Sequence, residues 1–343
     1  MNELEQRIHT EIAANNGISF SRFMAMALYE PGLGYYETQR EVGRGGDFFT
    51  SVSVGQLYGQ LLAFRMADWL EDIQGDAQLV EVGAHNGRLA KDVLSYLRQW
   101  RPEVFARCEL VLWEPSAIRR QWQEKTLSEF KDRVRWVDAL GPFRGAFYCN
   151  ELLDACPVER FVGHEGRWVE SRVVSDGKSF EWILGDDAIG DLPGDGPVKE
   201  GTVVVCGDYS VWEQICGSMI EGRALVADYG MTEMEFLDPP RVNGTLRGYR
   251  QHRLVEDVLQ SPGEIDITAS VNFTKVEQIA GRNGLQVQPL TRQAQYLVSI
   301  FEQTLQRPEQ FPEWGAERTR QFQTLIHPEH LGHSFKMLEC RRP

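Results

Sequence analysis

A short apolar stretch that ends in a carboxylate and runs into a glycine turn is the part of this sequence best suited to chemistry. It is Leu79-Val-Glu-Val-Gly-Ala-His-Asn-Gly-Arg-Leu89, in which two glycines four residues apart follow the acid. A dinucleotide pocket needs the spacing G-x-G-x-x-G, because there the backbone approaches a pyrophosphate. That spacing is absent, and a carboxylate at the turn repels phosphate but attracts an ammonium or a sulfonium. The turn therefore predicts S-adenosylmethionine (SAM) as cofactor rather than NAD, with these contacts: Glu81, Gly83, His85 and Gly87.

Two further apolar segments are each predicted to be a strand that ends in an acid. The second strand closes on Glu114 and the third on Asp138. A carboxylate after the second strand can accept hydrogen bonds from both ribose hydroxyls of an adenosyl group, and one after the third can meet the amino group of the adenine. The alternative is that each acid caps the following helix or complements its dipole. For Asp138 both interpretations stay open.

The elements that position these acids follow from the alternation of strand and helix patterns. That alternation predicts an α/β fold with a largely parallel sheet and helices on both faces. A helical region is predicted for residues 1–72, ahead of a Rossmann-like cofactor domain at 73–343. Within that domain, alternating apolar and polar residues predict inserted β-hairpins at about 158–201. A polar segment predicts a lid-like insertion at about 231–270.

The composition excludes several classes of function. The 343 residues carry a formal net charge of −14, and sequence-independent binding of nucleic acid requires a basic surface instead. No apolar run is long enough to cross a bilayer, and the N-terminus resembles neither a signal sequence nor a transit peptide. Six scattered cysteines predict reduced thiols, so we expect a cytoplasmic protein. No metal site is predicted, because Pro328 and Gly332 interrupt the spaced histidines His327, His330 and His333.

Motifs along most of the chain resemble those of the MidA-like methyltransferase family, which includes the mitochondrial complex I assembly factor and many bacterial proteins. The motifs are Ser19-Phe-Ser-Arg-Phe-Met with Leu28-Tyr-Glu-Pro-Gly-Leu-Gly-Tyr-Tyr36, Gly46-Asp-Phe-Phe-Thr-Ser51, Asn150-Glu-Leu-Leu-Asp-Ala155, Gly244-Thr-Leu-Arg-Gly-Tyr249 with His252, and Asp266-Ile-Thr-Ala269. The resemblance implies a class I methyltransferase: a SAM-dependent Rossmann-like sheet with a helical N-terminal region and inserted β-hairpin and lid elements. It also adds Gly46 and Thr50 to the candidate cofactor contacts.

The same resemblance suggests a substrate. For the mitochondrial member it implies dimethylation of an arginine on a complex I subunit, and for bacterial members it leaves the substrate open. The sequence departs from the family's motifs at four positions. His85 replaces the middle glycine of E-x-G-x-G-x-G, and three carboxylates of T-S-P-E, F-G-E and V-D-F are replaced by Ser53, Gln60 and Asn272.

An arginine methyltransferase has to prepare a poor nucleophile. A guanidinium has a pKa above about 12 and no spare lone pair, so carboxylates must orient it and take up its proton as the C–N bond forms. Asn150, Glu151 and Asp154 follow the predicted fourth strand, beside the expected methyl group. Glu151 is the candidate for orienting the guanidinium, with Asp154 as a second acceptor. The alternatives are that Asp154 caps a helix and that Glu151 pairs with a structural arginine such as Arg247.

The sequence thus supports two functions from different classes. The first is a SAM-dependent methyltransferase that acts on a protein, at arginine, with a respiratory complex subunit as one candidate substrate. The second is a non-catalytic assembly or binding protein that keeps the Rossmann-like core and holds a client on its acidic surface. A NAD-dependent enzyme ranks third because the phosphate-binding spacing is absent.

Overall fold

The computed structural model describes most of the chain. The described residues are 1–38, 50–187, 192, 198–237, 244–251, 253–329 and 331–343. Gly46, His252 and His330, which the sequence analysis singled out, lie outside them. No helix in these ranges is both long and apolar enough to cross a membrane.

The strands in the described ranges are numbered in chain order. They are β1 (Ile18–Ser19), β2 (Ala77–Val82), β3 (Cys108–Trp113), β4 (Val134–Val137), β5 (Phe143–Asn150), β6 (Val158–His164), β7 (Arg167–Ser175), β8 (Phe180–Asp187), β9 (Val203–Gly207), β10 (Met219–Met231), β11 (Leu246–Arg250), β12 (Arg253–Val255), β13 (Asp266–Ala269), β14 (Val271–Asn272), β15 (Gln286–Val287), β16 (Thr291–Arg292) and β17 (Phe335–Arg342).

The helices of the same ranges are numbered likewise. They are α1 (Glu3–Asn15), α2 (Phe20–Tyr29), α3 (Tyr35–Thr38), α4 (Ser51–Val54), α5 (Gln56–Glu71), α6 (Arg88–Trp100), α7 (Pro102–Ala106), α8 (Ala117–Thr126), α9 (Ser210–Ser218), α10 (Glu233–Leu237), α11 (Phe273–Arg282), α12 (Gln293–Gln306), α13 (Ala316–Ile326) and α14 (Leu331–Ser334). Segments of 3-10 helix lie at Ser128–Arg133 and Pro308–Gln310.

The chain divides into two compact units, and the larger one is built on a mostly parallel sheet. It comprises Phe49–Leu152, Ser210–Tyr229 and Val276–Pro343. The strand order is β15-β17-β10-β5-β2-β3-β4. Strands β10, β5, β2, β3 and β4 are parallel, whereas β17 is antiparallel to β10. Since parallel strands end at the same edge, the predicted strand-end acids are brought to one edge of this sheet.

The core of the larger unit lies between this sheet and its helices. The central strands are almost continuously apolar, as expected for a sheet covered on both faces; Leu79, Leu110 and Ala146 have no exposed surface. Helix α5 buries one broad face against α6 and the sheet, including Leu61 and Phe64. The helices therefore fix the positions of the strand ends.

The smaller unit combines an N-terminal helical pair with two antiparallel sheets. Its residues come from Met1–Phe48, Leu153–Tyr209 and Gly230–Lys275. One sheet has the order β1-β7-β6-β9 with β8 on β7, and the other is β12-β11-β13. Helix α1 buries its apolar stripe, and Ser19 caps α2, since its Oγ accepts the Arg22 N–H. The predicted fold class, with its helical N-terminal region and inserted hairpins, is confirmed; the domain boundaries stay a prediction.

Two glycines allow the parallel strands of the larger unit to approach closely. Gly145 on β5 lies opposite Gln78 on β2 and opposite Gly222 on β10. A Cβ on Gly145 would lie 1.9 Å from the carbonyl oxygen of Gln78, and the φ of +145° also favours glycine. The amino-terminal ends of these three strands therefore depend on the absence of a side chain.

Gly145→Ala should lower the free energy of unfolding by at least about 2 kcal/mol, because the added methyl group overlaps a backbone oxygen that cannot move away. Urea denaturation measures the change. Gly141→Ala is the matched control, since nothing lies within 4 Å of a Cβ built there; its effect should stay below about 1 kcal/mol. Equal stability of the two variants would contradict the close approach.

Candidate functional site

The turn after β2 has a left-handed backbone at three positions. Gly83 has φ +76°, His85 φ +46° and Gly87 φ +79°. The Gly87 N–H donates to Ala84 O at 2.7 Å, which closes the turn. A left-handed conformation costs a residue with a side chain about 1–2 kcal/mol, so the surrounding structure has to hold His85 in place. The turn therefore keeps glycine geometry although its middle position carries a histidine.

The side chain of Gln123, in α8, connects this turn to the next two strands. Its Nε2 donates to His85 O and Glu114 Oε2, both at 3.0 Å, and its Oε1 accepts from Trp136 Nε1 at 2.9 Å. Gln123 has no exposed surface, so water cannot replace these bonds. Gln123 cannot be predicted from the sequence, because its three partners lie 38, 9 and 13 residues away and nothing local distinguishes it.

Glu114 is buried directly after β3, and the start of α8 holds its carboxylate. The Ser116 N–H donates to Oε1 at 3.0 Å, and Arg119 Nε lies 3.1 Å from the same oxygen. Ser116 also caps α8, because its side chain accepts the Arg119 N–H. The carboxylate is thus fixed at the carboxyl edge of the sheet before any ligand arrives, which is the arrangement that a preorganised hydroxyl acceptor requires.

Asp138 differs from the other strand-end acids because its side chain is 89% exposed. Its Oδ1 pairs with Arg120 Nη2 at 2.5 Å, and Arg120 Nε donates to Glu114 O. The Trp113 Nε1 donates to Asp138 O at 2.9 Å. These contacts join the ends of β3 and β4. The contact of Asp138 with an adenine stays a prediction.

Glu81 is buried on β2 and faces the neighbouring strand β5. Its Oε2 accepts a hydrogen bond from Tyr148 OH. Burial raises the pKa of Glu81 to about 8, although the bond from Tyr148 acts in the opposite direction. Burial likewise raises the pKa of Asp92, on α6, to about 6. The strand that leads into the turn therefore carries a protonated carboxyl group at neutral pH.

The turn after β5 carries the candidate catalytic carboxylate in a fixed geometry. Tyr58 OH, on α5, donates to Asn150 Oδ1 at 2.7 Å, and Asn150 Nδ2 donates to Glu151 Oε1 at 2.8 Å. Glu151 has φ +53°, and its N–H donates to Ala227 O on β10 at 2.9 Å. A left-handed residue that is bonded through both backbone and side chain indicates a turn built to aim that side chain.

The buried carboxylate of Asp228 holds Leu152, the residue that follows Glu151 in the turn after β5. Asp228, at the end of β10, has no exposed surface. Its Oδ2 accepts the Leu152 N–H at 3.1 Å, and its Oδ1 accepts the Tyr229 N–H at 2.8 Å. Asp228 therefore stabilises the exit from β5. No local pattern in the sequence indicates this role.

Asp154 lies in the smaller unit and is 5% exposed. The capping interpretation of Asp154 is wrong, because residues 151–157 form no helix and lead into β6. Its carbonyl oxygen accepts the Ala269 N–H of β13 at 2.9 Å. In the same unit Tyr36 OH donates to both carboxylate oxygens of Asp266, and burial raises the pKa of Tyr36 well above its usual value. Three of the recognised motifs therefore contribute to one buried polar region of this unit.

The positions at which the sequence lacks a family carboxylate have local partners. Ser53 completes a cap at the start of α4, where Thr50 Oγ1 accepts the Ser53 N–H at 3.1 Å. Gln60 Oε1 accepts from Arg318 Nε at 3.4 Å. The Asn272 side chain accepts a backbone N–H at the start of α11. Each substitution keeps a polar acceptor that its neighbours use. Thr50 thus has a structural role, and its contact with a cofactor stays a prediction.

Comparison with known proteins decides the family. Residues 61–291 match a family model described as "Putative S-adenosyl-L-methionine-dependent methyltransferase". The chain belongs to this family. A protein from Burkholderia thailandensis, solved with S-adenosyl-homocysteine bound, superposes with a TM-score of 0.86 at 29% identity, covering 99% of this chain and 92% of that one. SAM as cofactor, methyl transfer as the activity and the predicted family are therefore confirmed.

Curated relatives carry a more specific name. Protein arginine methyltransferase NDUFAF7, mitochondrial, of Danio rerio is 27% identical over 370 residues, covering 96% of this chain and 85% of that protein. The protein of the same name from Homo sapiens is 27% identical over 309 residues, covering 79% and 67%. The cytoplasmic location predicted from the sequence is wrong on this comparison, because these relatives are named as mitochondrial.

The residues of this methyltransferase fit SAM. Carboxyl groups stand at the ends of three neighbouring strands, and those of Glu114 and Asp138 suit the ribose hydroxyls and the amino group of an adenosyl ligand. The turn between Gly83 and Gly87 offers a left-handed backbone without the spacing that a dinucleotide needs. Gln123 fixes the turn and the Glu114 carboxylate relative to each other. The cofactor supplies the methyl group, and the protein supplies a preorganised edge to hold it.

Gln123→Leu should weaken binding of S-adenosyl-homocysteine about 10- to 30-fold, because it leaves a carbonyl and a buried carboxylate without their shared donor. Titration calorimetry measures the affinity. Thr304→Val, which removes a buried hydroxyl bonded to Trp314 in the same unit, controls for a general loss of stability and should bind normally. Unchanged affinity in Gln123→Leu would show that the turn does not depend on this side chain.

The free energy of unfolding should fall as the pH rises from about 5 to 8. Below its ordinary pKa of 4.5 Glu81 is protonated in both states, whereas between 4.5 and about 8 only the folded protein keeps the proton. The proton on Glu81 stabilises the folded protein, and this stabilisation is lost as the pH rises through the pKa of Glu81 in the folded state, about 8. Glu81→Gln keeps an acceptor for Tyr148 and should flatten the dependence, as measured by urea denaturation at several pH values. Asp92 contributes equally in both proteins, so identical slopes would contradict the prediction.

Proposed function

We propose that this methyltransferase transfers the methyl group of SAM to an arginine side chain of a protein. The observation that carries the proposal is the turn after β5, where Asn150 and Ala227 hold Glu151 at the end of a central strand. A fixed carboxylate at this edge suits a guanidinium, which it can bind through two parallel hydrogen bonds. The name shared by the curated relatives supports the same substrate.

The proposed cofactor contacts lie at the ends of the first three parallel strands. Glu114 accepts the ribose hydroxyls, and the backbone of the turn at Gly83, His85 and Gly87 lines the methionine portion. Asp138 accepts the adenine amino group, for which its exposed side chain has to leave Arg120. Further candidates retained from the sequence are Glu81, Thr50 and Gly46. Glu81 contributes through the turn it enters, since its own carboxyl group is bonded to Tyr148.

The chemistry asked of the protein is orientation and proton removal. Glu151 would orient the guanidinium so that one nitrogen faces the methyl group that the cofactor supplies. Formation of the C–N bond is balanced by cleavage of the C–S bond of the sulfonium, which releases S-adenosyl-homocysteine. The proton lost by the nitrogen would pass to the Glu151 carboxylate. Asn150 holds the carboxylate by donating to Oε1. Asp154 serves as the second acceptor in this proposal.

The proposed partner is a protein that presents an exposed arginine. The net charge of −14 favours a basic segment over a polyanion. A respiratory complex subunit remains the candidate client suggested by the family resemblance. Mass spectrometry of labelled acceptor proteins, after incubation with the enzyme and methyl-labelled SAM, identifies both the client and the methylated residue. Label on a residue other than arginine would refute the proposed substrate.

The alternative that the sequence leaves open is a binding protein without turnover. His85 occupies a left-handed position where the family has glycine, and its ring lies 5.9 Å from that of Trp122. A bulky side chain in the turn would lower cofactor affinity while leaving the rest of the core intact. Weak SAM binding in titration calorimetry, together with no labelled acceptor in a lysate, would identify a binding protein. Label on any acceptor would exclude it.

Glu151→Gln should lower methyl transfer to the client about 10²–10⁴-fold, because it keeps the size and one acceptor but removes the charge that orients the guanidinium and takes its proton. Affinity for S-adenosyl-homocysteine should stay within about twofold. Glu109→Gln, at the amino-terminal end of β3, is the matched control and should transfer normally. Equal transfer by Glu151→Gln and wild type would remove Glu151 from the mechanism.

A further inference from the structure

The contacts around Glu151 continue to a residue that the mechanism has not yet used. Tyr58 lies on α5, has no exposed surface and is separated from Asn150 by 92 positions in the chain. Its hydroxyl group donates to Asn150 Oδ1 at 2.7 Å, and the other end of the same amide donates to Glu151 Oε1 at 2.8 Å. The three side chains thus form one chain of hydrogen bonds that ends on the candidate catalytic carboxylate.

The direction of these bonds fixes the orientation of the amide. Burial raises the pKa of Tyr58 well above its usual value, so the phenol keeps its proton. Because the phenol donates to Oδ1, the NH₂ group of Asn150 has to point towards Glu151. A phenylalanine at 58 would fill almost the same volume but would leave the two ends of the amide free to exchange places. An exchanged amide would present an oxygen to the carboxylate and repel it.

We propose that Tyr58 is a positioning residue for methyl transfer, which acts through the Asn150 amide to hold the Glu151 carboxylate in the orientation that receives the guanidinium. The inference rests on the proposed function of Glu151 and extends it to a residue of the helix core. Tyr58 itself contacts neither substrate nor cofactor in this scheme. Its effect should therefore appear in the rate of transfer and not in the affinity for SAM.

The backbone around Glu151 is fixed, but this alone does not fix the Glu151 side chain. Glu151 sits in a left-handed turn with φ +53°, and its N–H is bonded to Ala227 O. The next N–H, from Leu152, is bonded to the buried Asp228. The main chain is therefore fixed, whereas a glutamate side chain retains three rotatable bonds. The hydrogen bond from Asn150 restricts rotation of the Glu151 side chain. Tyr58 fixes the amide of Asn150 so that its NH₂ group, and not its oxygen, faces Glu151.

The test compares Tyr58→Phe with wild type and with Tyr96→Phe. Tyr96 is equally buried on α6 and its hydroxyl donates to Gln310 O, so the control loses one buried hydrogen bond elsewhere in the unit. The assay uses methyl-labelled SAM with a lysate of cells that lack this protein as acceptor. Tyr58→Phe should reduce the rate at saturating SAM about 5- to 20-fold, with the KM for SAM within about twofold. Tyr96→Phe should reduce neither.

A double-mutant cycle tests the route. If Tyr58 acts only through Glu151, adding Tyr58→Phe to Glu151→Gln should cause no further loss of rate. The proposal is overturned if Tyr58→Phe transfers as fast as wild type, or if its loss is the same in both backgrounds. Thermal unfolding of both phenylalanine variants shows whether they are equally folded. An equal loss of stability in both variants, with a loss of rate only in Tyr58→Phe, supports positioning.

A second readout does not depend on turnover. In protein labelled at asparagine, the side-chain amide signals of Asn150 are assigned by their disappearance in Asn150→Asp. Tyr58→Phe should shift both signals and speed their exchange with solvent at least about tenfold, since neither end of the amide stays fixed. Unchanged signals overturn the positioning role even if no acceptor is ever labelled. Labelling of a residue other than arginine instead refutes the proposed substrate and leaves the cycle interpretable.

Discussion

The register of three parallel strands is the constraint on which the rest of this structure depends. Gly145 lies opposite Gln78 on one side and Gly222 on the other, where the backbones come too close for any side chain. From that point the pairing runs to Glu81 opposite Tyr148 and to Asn150 opposite Ala227. A shift by one residue would turn every one of these side chains to the other face of the sheet. The chemistry at the carboxyl edge is therefore set by contacts at the opposite edge.

Uncharged donors help to hold the carboxyl groups at that edge. The Gln123 side chain and the Ser116 N–H donate to Glu114, Tyr148 donates to Glu81, and Asn150 donates to Glu151. A neutral donor orients a carboxylate without cancelling its charge. Glu114 is held in addition by an ion pair with Arg119, and the exposed Asp138 by one with Arg120. An exposed ion pair is worth little and is easily exchanged for another partner.

Local patterns in the sequence predict helices, strands and turns. They do not predict residues whose hydrogen-bond partners are distant in the chain. The apolar stripe of α1, the Ser19 cap and the strand-to-turn signal at Gly83 are each contained within a few residues. Gln123, Tyr58 and Tyr148 act on residues 9 to 92 positions away, and no periodicity marks them. The polar segment at about 231–270 predicts a lid-like insertion but no strands; its described part contains β11, β12 and β13, which alternate too briefly to be recognised.

The interleaving of the two units governs how the chain can fold. Each unit collects three separate segments, so the smaller one needs residues up to Lys275 and the larger one a segment that follows it, Val276–Pro343. Strand β17, formed by Phe335–Arg342, lies between β10 and β15. During synthesis one edge of β10 therefore stays unpaired until β17, more than 100 residues later, has left the ribosome. Contacts of such long sequence separation fold slowly and leave a strand edge available to other chains.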